Sequence, residues 1–181
     1  MGLKKTLILV SLLLLPWTVS AQFYSLRTNV AALATGNLNA EFSMTLNRKW
    51  SVHLPLQYCP FKFNANRQWR NIYTSPGVRY WLRESYSGGF IGLHGVAAVY
   101  SVGGLFGNKF RHEGEGFGAG LSIGHAYALA KRWNLEWELG GGPVWLAYDK
   151  YACRHCGGWK ARESGWYLLP TKLAFNVVYL F

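Results

Sequence analysis

Residues Trp166–Phe181 constrain the fold of this chain more than any other stretch. From Tyr167 the odd positions read Tyr167, Leu169, Thr171, Leu173, Phe175, Val177, Tyr179 and Phe181, and the even positions between them include Pro170, Lys172, Ala174 and Asn176. Side chains alternate faces along a strand, so the segment carries one almost wholly apolar face and one polar face. It also ends on an aromatic residue. In a soluble protein such a strand leaves a sticky, unpaired edge. In a membrane barrel the last strand closes against the first, and no edge is left. The segment therefore predicts an all-β chain, an antiparallel up-and-down transmembrane barrel. Tyr179 and Phe181 are the expected C-terminal signal for the barrel assembly machinery.

The opposite end agrees. Met1-Gly2-Leu3-Lys4-Lys5 is followed by an apolar run from Leu7 to Trp17 and then by Thr18-Val19-Ser20-Ala21. A basic start, a short apolar stretch and small residues before a cut form a secretory signal peptide. The run falls short of the ~20 residues of a spanning helix. Residues 1–21 are expected to be removed, leaving 22–181 as one barrel domain. The absence of a long apolar run after residue 21 argues against helical spans, and 21 glycines with 17% aromatic residues suit a β-protein. The net charge of +11 does not point to nucleic acid in an exported chain. Lipid and lipopolysaccharide phosphates are the expected counter-charge.

Period-2 alternation and turn residues divide the chain into eight strands. These are Tyr24–Leu33, Leu38–Leu46, Trp50–Phe63, Asn71–Leu82, Phe90–Leu105, Gly116–Leu129, Trp133–Tyr148 and Trp166–Phe181. Tight turns alternate with longer basic loops at 64–70, 106–115 and 149–165. That is the pattern of short periplasmic turns and longer external loops. Two turns resemble one another: Arg48-Lys49 before Trp50, and Lys131-Arg132 before Trp133. Each sets cations beside an outward tryptophan, as in an aromatic girdle with phosphate-binding neighbours.

The polar faces hold Arg27, Glu41, Arg79, Glu136, Glu138 and Lys172, with Asn29, His53, Gln57, His94 and Asn176. Three bases against three acids suit a lumen filled by ion pairs, because isolated buried charges are very costly. A barrel of this size has room for its own side chains or one small ligand, so a salt-bridged plug without a conducting pore is expected. The small face of the sixth strand (Gly118, Gly120, Gly124) either leaves room for Arg27 and Arg79 or relieves crowding where the sheet curves.

Cys153-Arg154-His155-Cys156 suits a local disulfide in an exported protein. A zinc half-site and pairing of either cysteine with Cys59 are alternatives. No metal or other cofactor is expected. The loop cations, Arg70, Lys109, Arg111, Lys150 and Arg162 among them, are interleaved with Trp69, Trp159 and Trp166. They suit lipopolysaccharide phosphate, or a surface glycan or protein. His125 is the one histidine expected on the outer wall, without a serine and acid beside it, so catalysis is not expected. The alternative is a lipid A-modifying enzyme of the acyltransferase or deacylase type.

Several runs in order resemble the DUF3575 family, small outer-membrane proteins of Bacteroidales. They are Leu46-Asn47-Arg48-Lys49-Trp50-Ser51, Gly77-Val78-Arg79-Tyr80-Trp81, Phe90-Ile91-Gly92-Leu93-His94-Gly95, the glycine-rich Glu113–Gly120, Lys131-Arg132-Trp133-Asn134-Leu135-Glu136, Tyr148-Asp149-Lys150-Tyr151 with the CxxCG after it, and Pro170-Thr171-Lys172. The resemblance covers nearly all of the chain after the leader. It implies an eight-stranded barrel at the cell surface and a link to fimbriae or other surface appendages. It supplies no catalytic residues.

Overall fold

The computed structural model describes residues 24–63, 67–103, 111–151 and 159–181; the expected leader and the CxxC lie outside the described residues. The elements are β1 (Tyr24–Asn29), α1 (Val30–Ala34), β2 (Leu38–Asn47), β3 (Trp50–Phe63), β4 (Arg67–Thr74), β5 (Gly77–Trp81), β6 (Gly88–Gly103), β7 (Arg111–Ala130), β8 (Trp133–Tyr151) and β9 (Trp159–Leu180). All pairings between the strands are antiparallel. β4 and β5 follow one another between β3 and β6, as two halves of a single stave. The sheet order β2-β1-β9-β8-β7-β6-β4-β3 is closed by the β2–β3 pairing, which gives a barrel of eight staves. The first and last described residues meet in the wall: Phe181 N donates to Tyr24 O at 3.0 Å, and Tyr24 N donates to Phe181 O at 3.1 Å.

Alternation sorts the side chains by charge. Leu26, Phe42, Leu54, Ile91, Leu121 and Leu139 point outward and are 44–66% exposed along with the other outward leucines of β2, β3 and β7. Ser25, Arg27, Ser43, His53, Arg79, Glu136 and Glu138 point inward and are buried. This barrel is apolar outside and polar within.

The irregularities fall where prolines and asparagines interrupt the ladder. The expected fourth strand is broken at Ser75-Pro76, because proline has no N–H for the ladder; Pro76 O instead accepts from Gly95 N at 2.8 Å. The expected first strand does not reach Leu33. It stops at Asn29, whose side chain caps α1 by accepting from Ala31 N and Ala32 N. In β9 the register slips opposite Gly140 and Gly141, so that Lys172 pairs with Gly140 but Pro170 with Gly141. Thr171 is thus an extra residue, a β-bulge. The odd positions therefore do not share one face: Leu173 to Phe181 point outward, whereas Tyr167 pairs with the inward Val144. Trp166 and Leu168, at even positions, take the outer face and are 64% and 83% exposed.

Strand lengths differ widely. β9 has 22 residues and β1 only six, and β1 pairs with β9 only as far as Asn176. β7 and β8 extend into the expected loops, to Arg111 and Tyr151, so these loops are shorter than the sequence implied. Beyond Asn176 the open edge of β9 lies against α1, which also touches β2. Side chains complete the ladder there. Asn29 Nδ2 donates to Leu173 O at 3.1 Å and Asn29 Oδ1 accepts from Phe175 N at 3.2 Å. Tyr73 reaches across the lumen to donate to Thr171 O at 2.6 Å. Asn29→Ala removes both the helix cap and the edge partner. It is expected to lower stability by about 1–2 kcal/mol, measured by reversible urea unfolding, whereas Thr35→Ala on the same loop changes it less.

Candidate functional site

The inward side chains form layers along the barrel axis. At the end that holds both termini, Trp81, Tyr86, Phe90 and Ala126 make a buried apolar cluster, with Leu180 packed on it. Tyr86 reaches it from the turn after β5, with a positive φ of 66°. Such a backbone is rare for a bulky residue, and the interior holds it in place. Ser43 Oγ lies 2.8 Å from the Tyr86 hydroxyl, and Asn134 Nδ2 donates to Tyr86 O at 2.7 Å. This turn folds into the lumen and closes it. The sequence pattern marked it only as a turn, since one aromatic between polar residues carries no periodicity.

The next layer is ionic, and it brings together all six charges read from the sequence. Arg79, from β5, reaches carboxylates on two other staves. Its Nη1 lies 2.9 Å from Glu136 Oε1, its Nη2 lies 3.3 Å from Glu41 Oε1, and Nη2 also pairs with Glu138 Oε2. Arg27 Nη1 lies 2.6 Å from Glu136 Oε1 and its Nε lies 3.5 Å from Glu41 Oε1. Lys172 Nζ lies 3.3 Å from Glu138 Oε1. Neutral groups complete the shell: Ser122 donates to Glu138 at 2.6 Å, Asn176 to Glu136 at 3.2 Å, and Arg27 Nη2 to Ser43 at 3.1 Å. The Arg79 guanidinium also lies over the Phe90 ring, 4.6 Å from its centroid, which ties the ionic layer to the aromatic floor. Three cations and three carboxylates cancel, so no net charge is buried.

One chain of bonds in this layer matches the geometry of a nucleophilic relay. Ser51 Oγ is 2.7 Å from His53 Nε2, and His53 Nδ1 is 2.9 Å from Glu41 Oε1. Trp81 Nε1 donates to Ser51 Oγ at 2.8 Å. Ser51 therefore turns its own hydrogen to His53 Nε2, and Nδ1–H donates to Glu41. Ser51 is 0% exposed, beneath the Trp81 indole that donates to it. The relay orders the interior.

The small face of β7 makes room for side chains other than those expected. A Cβ at Gly124 would fall on the Phe90 ring, and one at Gly120 would press on Thr171 and His94. Arg79 instead leans past Gly92 on β6. His94 Nε2 lies 2.8 Å from Thr171 Oγ1, so the bulge in β9 aims a hydroxyl into the lumen.

The girdle residues sit together at the terminus end. Trp50 and Trp133 are 42% and 47% exposed on the outer face. Trp50 packs on Tyr80 at 5.2 Å and Trp133 on Tyr179 at 5.0 Å between ring centroids. Tyr24 stacks on both Phe42 and Phe181. Arg48 and Lys49 lie in the β2–β3 turn, and Lys131 and Arg132 in the β7–β8 turn. Lys49 Nζ lies over the Tyr80 ring and Arg132 Nη1 donates to the Tyr179 hydroxyl at 3.3 Å. His125 faces outward against Tyr127.

At the far end Tyr148 donates to Glu163 at 2.6 Å. On the outer face there, Arg111 pairs with Glu113 at 3.2 Å and lies over Tyr151, while Trp159 Nε1 donates to Asp149 at 3.2 Å. Cys153 and Cys156 lie outside the described residues. Cys59 is a buried free thiol that donates to Trp69 O. Among the described residues no cluster of three or more His, Cys, Asp or Glu is arranged to hold a metal.

Residues 7–181 match the model of the family described as "Protein of unknown function (DUF3575)", and the chain belongs to that family. No curated protein and no solved structure matches it.

Removing one member of the ionic layer leaves buried charge uncompensated. Arg79→Met is expected to cost about 3–5 kcal/mol in urea unfolding. Adding Glu138→Gln to it recovers part of that loss, because the second change neutralises a stranded carboxylate; strict additivity of the two would show that they do not interact.

Proposed function

We propose that this protein is a small outer-membrane barrel of a Gram-negative bacterium, with a lumen that does not conduct and a structural or surface-interaction role. The observation that carries the reading is the inversion of the interior. Arg27, Arg79, Glu136 and Glu138 are 1–2% exposed, while Leu168, Leu129 and Leu121 stand 63–83% exposed on the outer wall. In water such a wall would drive aggregation; in a bilayer it is the required surface. The exposed tryptophans and basic turns at the terminus end suit a membrane–water boundary, with phosphate beside Arg48, Lys49, Lys131 and Arg132. The leader in residues 1–21 suits export, and the paired Phe181 suits delivery by the barrel assembly machinery.

The long hairpins of β6 to β9 project from the other end. They carry Arg111 and Arg162 with Trp159, and Arg70 stands on β4 beside β6, together a basic and aromatic surface fitted to lipopolysaccharide, a surface glycan or an appendage protein. A role in fimbria or appendage biogenesis fits that placement.

A second reading, a lipid A acyltransferase or deacylase, draws on the Ser51–His53–Glu41 chain. That chain lies inside the lumen, and a lipid substrate would approach from outside the wall. Lipid A whose mass is unchanged by overexpression is the expected result; a shift of one acyl chain would favour the enzyme.

Two measurements test the first reading. The protein in the outer-membrane fraction is expected to migrate differently in SDS before and after boiling, because a closed wall pairs its own backbone. In planar bilayers it is expected to give no steady nanosiemens channels. Recovery in the soluble periplasm with no heat-dependent shift would falsify the membrane assignment.

A further inference from the structure

Above the ionic layer the lumen widens into a cavity of about 250 Å³. Glu41, Gln57, Tyr73, Glu138, Lys172 and Ala174 are among the residues that line it. Its floor is closed by the ionic layer and by the Trp81, Tyr86 and Phe90 cluster beneath. Beside it the wall is lowest, where β1 gives way to α1, none of whose residues is buried. The cavity is therefore a cup beside this low stretch of wall, with its floor toward the termini.

Several polar groups lining the cup are incompletely used. Lys172 carries three donors and makes one ion pair, with Glu138. Glu41 receives Arg27, His53 and Arg79 all on Oε1. Gln57 donates through Nε2 to Asn37 and Asn71. Two hydrogens of Lys172, Glu41 Oε2 and Gln57 Oε1 thus have no protein partner among the described residues.

A guest must accept from Lys172 and donate to Glu41 and Gln57. It must also be neutral, because the three cations and three carboxylates below already balance and a net charge there would go uncompensated. Hydroxyls donate and accept from one atom, and the Tyr73 ring offers an apolar face to C–H groups. At ~30 Å³ per water the space holds about eight waters, comparable with one hexose. We propose that the cup binds a small, neutral, hydroxyl-rich molecule of the size of a single hexose. This deepens the surface-interaction reading and rests on the cup facing outward.

The test uses the full-length processed protein in detergent micelles. Calorimetric and thermal-shift titrations with glucose, galactose and N-acetylglucosamine are run beside glycine and sulfate as zwitterionic and anionic controls. At least one sugar is expected to bind at one site per barrel and raise the unfolding temperature, and the controls are not. Ala174→Leu fills the cup without touching the six charges and is expected to weaken that binding by about tenfold or more. Gln57→Ala, which enlarges the cup and removes the acceptor Oε1 together with the bonds to Asn37 and Asn71, is expected to weaken it severalfold. The proposal is overturned if no sugar binds, if glycine or sulfate binds in preference, or if Ala174→Leu binds as the unaltered protein does. Boiled and unboiled gels of the same samples separate the two readings. A retained shift without sugar binding removes the cup alone, whereas loss of the shift in the unaltered protein removes the membrane barrel as well.

Discussion

Closure of the wall is the constraint on which the rest of this structure depends. An open sheet leaves two rows of unpaired N–H and C=O groups at its edges, and pairing the first strand with the last removes both. Here the two strands pair through residues at the ends of the described chain, with Tyr24 and Phe181 exchanging both backbone bonds. Once closed, eight staves enclose a narrow interior. The side chains inside must fill that space and satisfy one another.

The interior meets this demand in two chemistries. Near the termini it is aromatic, and Tyr86 is turned into it by a backbone that only the surrounding bonds sustain. Above that it is ionic. An arginine placed alone there would be very costly, yet Arg79 meets carboxylates from β2 and β8, and each of those carboxylates meets a second cation. Staves that are not neighbours in the sheet are thereby joined across the lumen. The ionic layer crosses the axis as a consequence of satisfying its own charges.

The defects of the wall are concentrated and compensated. β1 ends early because Asn29 caps a helical turn, and the same amide serves the abandoned edge of β9. Pro76 breaks its stave between β4 and β5, and Pro170 stands at the register slip of β9. The bulge beside Pro170 turns Thr171 toward His94 and lets Tyr73 reach its carbonyl. The low wall at α1 and the space beneath it follow from these substitutions of side chain for backbone.

Much of this was legible in the sequence. Period-2 alternation ending on Phe181 is local information, and it determined the strand type, the barrel class and the inward set Arg27, Glu41, Arg79, Glu136, Glu138 and Lys172. The paired basic turns before Trp50 and Trp133 were legible for the same reason. Tertiary structure decided what alternation cannot carry. A one-residue bulge reverses every side chain beyond it, so Tyr167 and Trp166 exchanged the faces assigned to them. The insertion of Tyr86 depends on a pocket built from β2, β5, β6 and β8, far apart in sequence. The Ser51–His53–Glu41 chain and the cup beside Lys172 likewise arise from staves brought together only by closure. Sequence determined which side chains point inward along each regular strand; the closed wall determined which of them meet.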